Sequence, residues 1–164
     1  MDRITPEARS RLMARIGGRN TDPERIVRRA LRTAGLGYRL HRRDLPGTPD
    51  VAMIGRRVAV FVHRCYWHRH EGCRNAFLPR SNVAFWEAKF ARNVERDRRK
   101  ADELRRLGWR VLTIWECATR AGDAEASLSR DIRTWIDQGP PVGALPVSSA
   151  DASATIAPEA EGAR

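Results

Sequence analysis

Metal-binding side chains are concentrated in one short run of the chain, between positions 63 and 73. This run holds three of the four histidines and two of the three cysteines. The spacing is Cys65-x2-His68-x-His70-x2-Cys73, and the third cysteine, Cys117, follows a later apolar stretch. Thiolate sulfur and imidazole nitrogen are the ligands of tetrahedral structural Zn²⁺. We therefore expect all three cysteines and either His68 or His70 to bind zinc, which leaves the other of these two histidines for chemistry. The alternative is a group of buried thiols beside surface histidines.

A second chemical feature is Asp50, which follows Pro49 and precedes an apolar stretch. Carboxylate oxygen suits Mg²⁺, and Mg²⁺ at a phosphate stabilises transition-state charge and can activate water. An aspartate at such a strand end is typical of restriction-endonuclease-like nucleases. In that superfamily the second strand usually carries an acid and a lysine, and Phe61-Val62-His63 contains neither.

The composition favours a nucleic-acid ligand and an intracellular setting. A net charge of +11 on 164 residues predicts binding to a polyanion. An odd number of cysteines, mixed with histidines, favours metal over disulfides. No apolar run approaches the roughly 20 residues of a membrane span, and the N-terminus lacks a signal peptide's apolar core. We expect a cytoplasmic protein that makes no membrane contact.

The elements that must position these residues form a small mixed α/β fold. Apolar periodicity and end signals predict helices at 5–17, 21–35, 82–107 (with a break near Arg92-Asn93) and 123–136. Strands are predicted at 38–40, 51–54, 58–62 and 109–115, the third of them central because it is apolar throughout. We expect one domain over residues 1–138 and a disordered, low-complexity tail over 139–164.

Several aromatic and polar residues are placed to contact DNA. Tyr66 and Trp67 lie in the polar metal-binding loop, and Trp86 lies near the start of the long helix. Aromatic wedges unstack base pairs at a cost that a mismatch lowers, although core packing is the alternative for any tryptophan. Lys89 and Asn93, at i and i+4, share a helix face and can donate to base edges.

Together these motifs resemble one family, the very short patch repair (Vsr) mismatch endonucleases, over roughly residues 5–120. The matching segments, in order, are LPGTPD at 45–50, VFVHRCYWH at 60–68, FWEAKF at 85–90, NVERD at 93–97, LGWRVL at 107–112 and WEC at 115–117. The resemblance implies a restriction-endonuclease-like α/β fold with a mixed β-sheet flanked by helices and a structural zinc. It also implies Mg²⁺-dependent nicking of one DNA strand, 5′ to the thymine of a T:G mismatch left by deaminated 5-methylcytosine.

The resemblance further implies roles for individual residues, each carried over to a matching position. The catalytic positions are Asp50, which binds Mg²⁺, His63 and His68, the latter activating water, and Glu24, which orders water at the metal. Val62 adds a backbone carbonyl to the Mg²⁺ site. The zinc ligands are Cys65, His70, Cys73 and Cys117. The DNA-binding positions are Met13, Tyr66, Trp67, Trp86, Lys89 and Asn93.

One residue departs from the family pattern, and two other functions stay open. Arg64 stands where the family commonly has glycine, so it either reaches a phosphate or distorts the turn beside His63. The alternatives are a restriction-type enzyme that cuts both strands and a non-catalytic, zinc-stabilised DNA-binding module. We expect a monomer, because a nick needs one active site. We expect it to act on nucleoid DNA, with DNA repair proteins as candidate partners.

Overall fold

The computed structural model describes residues 18–147, which form one five-stranded β-sheet with helices packed on both faces. The strands are β1 (Arg39–Leu40), β2 (Val51–Met53), β3 (Val58–His63), β4 (Arg110–Trp115) and β5 (Val142–Leu145). The α-helices are α1 (Asp22–Thr33), α2 (Cys65–His68), α3 (Val83–Arg106) and α4 (Ala124–Gln138). No helix within this part of the chain is both long and apolar enough to cross a membrane.

The sheet is mixed, as predicted, with strand order β1-β2-β3-β4-β5. β1, β2 and β3 pair antiparallel, whereas β3, β4 and β5 pair parallel. β3 is therefore the central strand, and His63 at its end pairs in register with Trp115 at the end of β4. Because the two strands run in the same direction, the segments that follow them leave the sheet at the same edge. This arrangement brings Cys117 to the loop that carries the other cysteines.

The core is divided between the two faces of the sheet. Val58 and Val60 of β3 pack on the side covered by α1 and α4, while Ala59 and Phe61 pack on the side of Leu104 in α3. Alternate residues of a strand point to opposite faces, so a strand covered on both sides must be apolar throughout. The continuous apolar run at 58–62 is explained by this double coverage.

The predicted break in the long helix is wrong, because α3 is continuous from Val83 to Arg106. The segment contains no proline or glycine, and asparagine in a helix interior costs only a fraction of a kcal/mol. The amide of Asn93 also donates outside the helix, to the carbonyl oxygen of Trp67 at 3.1 Å. It therefore does not compete with the helix's own hydrogen bonds.

The predicted start of a structureless tail at Gly139 is also wrong for its first residues, because Val142–Leu145 forms β5 beside β4. Leu145 is buried, and Gly143 packs so tightly on Trp135 that an added Cβ would lie 2.1 Å from the indole nitrogen. Glycine here permits close packing rather than disorder. The predicted first helix, Met13 within it and residues 148–164 lie outside the described part of the chain.

Candidate active site and metal cluster

Three of the four predicted catalytic residues, Asp50, His63 and His68, line one open cleft of about 620 Å³ at the edge of the sheet where β3 ends. Asp50 immediately precedes β2, which runs antiparallel to β3, so it lies beside the end of the neighbouring strand. Val62 and His63 end β3, and His68 ends the short helix that follows. Topology thus brings together residues that are up to 18 positions apart in the sequence.

Asp50 presents a carboxylate that the protein itself satisfies only in part. Its Oδ2 accepts a hydrogen bond of 2.8 Å from the backbone N–H of Val62, and its side chain is 20% exposed. Burial raises the pKa of Asp50 from 3.8 to about 6, the Val62 hydrogen bond opposes this rise, and the charge of Glu24 adds to it. A poorly solvated carboxylate of this kind fits a divalent cation that prefers oxygen ligands.

Glu24 is buried at the start of α1 and is held by hydrogen bonds from its own end of the helix. Its Oε1 accepts from the hydroxyl of Thr21 at 3.0 Å, and its Oε2 accepts from the backbone N–H of Asn20 and from Arg28, each at 3.0 Å. Only 4% of Glu24 is exposed. The residue therefore caps the helix, as a first-turn acid does, while its carboxylate lies within 4.8 Å of the ligand atoms of His41 and Asp50.

His68 forms a pair with Asp97 of α3, a residue that the sequence-based site did not include. Nδ1 of His68 lies 2.5 Å from Oδ2 of Asp97. Burial alone would raise the pKa of Asp97, but the His68 hydrogen bond, the two neighbouring histidines and the charge of Lys100 bring it below its usual value. Because a carboxylate only accepts, Nδ1 of His68 carries the proton and Nε2 retains a lone pair. This is the arrangement of a histidine that acts as a general base.

His63 stacks on His68, with the ring centroids 3.9 Å apart and the planes at 10°. Burial lowers the pKa of His63 from 6.5 to about 3, with a further contribution from the charge of His68. His63 is therefore a neutral imidazole at physiological pH, so it can pack face to face against its neighbour.

The four side chains assigned to zinc by the family resemblance converge next to this cleft. Ligand atoms of Cys65, His70, Cys73 and Cys117 all lie within 4.8 Å of one another. Nδ1 of His70 is 3.6 Å from Sγ of Cys65 and 3.4 Å from Sγ of Cys117. Tetrahedral Zn²⁺, with bonds of about 2.3 Å to sulfur and 2.0–2.1 Å to nitrogen, separates such atoms by roughly 3.6 Å. The donor set and its spacing therefore fit zinc.

The cluster also distinguishes the two histidines that spacing alone left interchangeable. His70 stacks on Trp115, with centroids 4.3 Å apart, and faces the cysteines, whereas His68 faces Asp97. Without a metal, burial raises the pKa of Cys65 to about 12 and also raises that of Cys117. Since zinc binds thiolates, loading this cluster must release protons.

The three aromatic residues predicted to contact DNA form one partly exposed cluster between α2 and the start of α3. Tyr66, Trp67 and Trp86 are all partly exposed, and neighbouring ring centroids lie 5.0–6.3 Å apart. The Nζ atom of Lys89 lies 5.1 Å from the Trp67 ring centroid and 5.3 Å from that of Trp86. Asn93, on the same face of α3, anchors the loop through the carbonyl of Trp67. The structure thus groups five of the six predicted DNA-binding residues.

Comparison with known proteins agrees with this geometry. The sequence model of the family described as "DNA mismatch endonuclease Vsr" matches residues 1–74. The chain is 38% identical over 130 residues to the Escherichia coli K12 protein named DNA mismatch endonuclease Vsr, which covers 78% of this chain and 83% of the relative.

Two further relatives are named as nicking enzymes. The type II nicking enzyme V.XorIIP of Xanthomonas oryzae is 47% identical over 116 residues, covering 71% of this chain and 85% of the relative. The type II nicking enzyme V.NmeAIP of Neisseria meningitidis is 36% identical over 116 residues, covering 71% and 82%.

Proposed function

The chain belongs to the Vsr family of DNA mismatch endonucleases and is a DNA endonuclease, and we propose that it nicks one strand of duplex DNA 5′ to the thymine of a T:G mismatch. The observation that carries the proposal is the meeting, in one cleft, of the partly buried carboxylate of Asp50 with an oriented histidine–aspartate pair. The biological role we propose is the very short patch repair of deaminated 5-methylcytosine.

In this proposal Asp50 and the backbone carbonyl of Val62 would hold Mg²⁺, and the bound ion would supply positive charge to stabilise the phosphate as it gains negative charge during cleavage. The N–H of Val62 fixes one oxygen of Asp50 and leaves the other available to the ion. Glu24, held rigidly by Thr21 and Arg28, orders water beside the carboxylate of Asp50.

The proton chemistry falls to His68. Its Nε2 accepts a proton from the attacking water as the new bond to phosphorus forms and the bond to the leaving oxygen breaks. Asp97 keeps the ring in the tautomer that leaves Nε2 free, and it stabilises the positive charge that the ring then carries. His63 confines the ring from the other side by stacking.

Selectivity for a mismatch comes, in this account, from the aromatic cluster. Inserting Tyr66, Trp67 or Trp86 between base pairs costs roughly a few kcal/mol of stacking free energy per step. This cost is lower at a mismatched base pair. Lys89 and Asn93 project from the helix beside these rings and donate hydrogen bonds to exposed base edges. The net charge of +11 favours binding to the DNA phosphate backbone, whatever its sequence.

We assign the second metal a structural role. Three cysteines and His70 complete a four-ligand shell for Zn²⁺, so no position is left for substrate. A zinc ion held there would tie the loop that carries His68 and two of the aromatic residues to the segment after β4 through Cys117. We further propose that the protein acts as a monomer in the cytoplasm.

The test is cleavage of a labelled duplex with one T:G mismatch in the presence of Mg²⁺, beside the fully paired duplex and the Asp50→Ala variant. We expect cleavage only when the mismatch and Asp50 are both present. Equal cleavage of the paired duplex would instead support a restriction-type enzyme, and binding without cleavage would support a non-catalytic module.

A further inference from the structure

Another ionisable side chain, His41, lies beside Asp50 of the cleft, and the proposed chemistry does not use it. Its ring lies between the two carboxylates, with Nε2 3.7 Å from Oε2 of Glu24 and Nδ1 4.0 Å from Oδ1 of Asp50. Neither distance is that of a hydrogen bond. Within residues 18–147, the group at hydrogen-bond distance from the ring is a cation. Nη2 of Arg28 lies 3.2 Å from Nε2 of His41.

The contact with Arg28 determines the tautomer of His41. A guanidinium group donates hydrogen bonds and cannot accept them, so Nε2 of His41 must be the accepting nitrogen. The proton then resides on Nδ1, on the side of Asp50. His41 is thus a neutral ring that holds a cation on one side and faces the proposed metal ligand on the other.

Arg28 is fixed by three acceptors, although it has bonding capacity left over. It donates to Oδ1 of Asn20 at 2.8 Å and to Oε2 of Glu24 at 3.0 Å, besides His41. Its side chain is 12% exposed, and its buried Nε–H has no acceptor within the described chain. A nearly buried guanidinium with an unused N–H pairs readily with a carboxylate, often through two hydrogen bonds at once.

Asp50 is the carboxylate with which the guanidinium of Arg28 would pair. Carboxylate oxygens of Glu24 and Asp50 lie within 4.8 Å of each other, so Arg28 is already close to both. Oδ1 of Asp50 receives no hydrogen bond from any residue between 18 and 147, whereas its Oδ2 is bound by Val62. The ring of His41 occupies the space between Arg28 and Asp50.

We propose that His41 is a positioning residue that keeps the guanidinium of Arg28 on Glu24 and away from Asp50, so that Asp50 stays available to a divalent cation. The inference rests on the proposed function, because it concerns the metal that Asp50 is proposed to bind. When the ring and its acceptor nitrogen are removed, Arg28 pairs with Asp50 and competes with the cation. Residues that orient metal ligands from outside commonly change metal affinity 10–100-fold.

The experiment measures Mn²⁺ binding to zinc-loaded, DNA-free protein from the electron paramagnetic resonance signal of free Mn²⁺, with Asp50→Ala as the baseline. The main variant is His41→Asn, because the φ of His41 is 46°, and asparagine tolerates this left-handed region well. Its amide is too short to replace Nε2 at Arg28. We expect Mn²⁺ affinity to fall by roughly tenfold, the lower end for such residues.

Further variants test whether His41 acts by holding Arg28 or has a merely structural role. Adding Arg28→Met to His41→Asn should restore most of the lost affinity, since no guanidinium then competes. Adding Arg29→Met should not, because Arg29 is exposed and pairs with Glu125. His41→Gln, whose amide oxygen reaches Arg28, should bind Mn²⁺ as the wild type does. Circular dichroism and zinc content establish that each variant is folded.

Each contrary result has a distinct meaning. Wild-type affinity in folded His41→Asn would overturn the inference, as would an equal loss in the double variant with Arg28→Met. A loss in His41→Gln as large as that in His41→Asn would overturn it as well. A wild-type protein without Asp50-dependent Mn²⁺ binding would overturn the proposed metal site itself, and the role of His41 with it.

Discussion

His68 and Asp97 meet across the active-site cleft, with Nδ1 of the histidine 2.5 Å from Oδ2 of the aspartate, although 29 positions separate them. The contact joins the metal-binding loop to the middle of α3. It leaves Nε2 of His68 as the nitrogen able to accept a proton, so the proposed role of this histidine as general base depends on the aspartate.

The first prediction concerns Asp97→Asn. Asparagine keeps the shape of the side chain but does not fix the tautomer of His68 or stabilise its protonated form. Since general-base catalysis contributes about 10²–10⁴-fold, we expect the single-turnover nicking rate to fall by roughly 100-fold or more with little change in DNA affinity. Glu103→Gln makes the same charge change at an exposed position of α3 and should keep the wild-type rate. An undiminished rate in Asp97→Asn would remove the pair from the mechanism.

The second prediction concerns the stability cost of Asp50. Its pKa of about 6 in the folded protein lies above the ordinary 3.8, so the folded state binds more protons between these values. Stability therefore falls as pH rises from about 4 to 6, and the loss persists at neutral pH. In Mg²⁺-free protein at pH 7 we expect Asp50→Asn to raise the free energy of unfolding by about 1–3 kcal/mol.

Urea unfolding at pH 7 and near pH 4, without and with Mg²⁺, measures this effect. The advantage of Asp50→Asn should shrink toward pH 4, and Mg²⁺ should stabilise the wild type far more than the variant. A variant that is less stable than the wild type at both pH values would contradict the description of Asp50 as a poorly solvated carboxylate that destabilises the metal-free fold.

The third prediction separates the two neighbouring histidines. Purified protein should contain one Zn²⁺ per chain. His70→Ala should lose the metal and unfold at a lower temperature, because a structural zinc site contributes folding free energy. His68→Ala should keep the zinc and the fold but lose nicking. Metal analysis, thermal unfolding and the nicking assay provide the three readouts, and zinc loss in His68→Ala would reverse the assignment.

The fourth prediction concerns the aromatic cluster. Trp67→Ala should weaken binding to a T:G duplex by roughly 1–3 kcal/mol, the usual contribution of a base stacked on an aromatic ring, with a smaller effect on paired DNA. Fluorescence anisotropy with both duplexes measures the difference, and unchanged zinc content shows that the loop is intact. Leu107→Ala removes an exposed apolar side chain away from this cluster and serves as the control. Equal losses on both duplexes would show that Trp67 supplies general affinity rather than discrimination.

The parts of the fold and site that were predictable are those with a local signal. The apolar run at 58–62 indicated a central strand, the Thr21-Asp22-Pro23-Glu24 start indicated α1, and the density of cysteine and histidine indicated a metal cluster. In each case the residues that form the feature are neighbours in the sequence, or share a rare chemical type, so pattern alone identifies them.

The parts that were missed are created by tertiary contacts. Asp97 looks like any charge on a long polar helix until the loop places His68 against it. His41 follows a two-residue strand with no periodicity, and only Glu24 and Asp50 give it a context. Gly143 lies in a segment whose composition predicts disorder, whereas its missing side chain lets β5 pack against Trp135.

The most direct test of the account maps the cut at nucleotide resolution. A duplex with one T:G mismatch, labelled separately on each strand, is incubated with zinc-loaded protein and Mg²⁺, and the products are separated on a sequencing gel. The account predicts a single cut, on the thymine strand, at the phosphodiester 5′ to the mismatched thymine, and an intact complementary strand. Cuts on both strands, or a cut whose position ignores the mismatch, would contradict it.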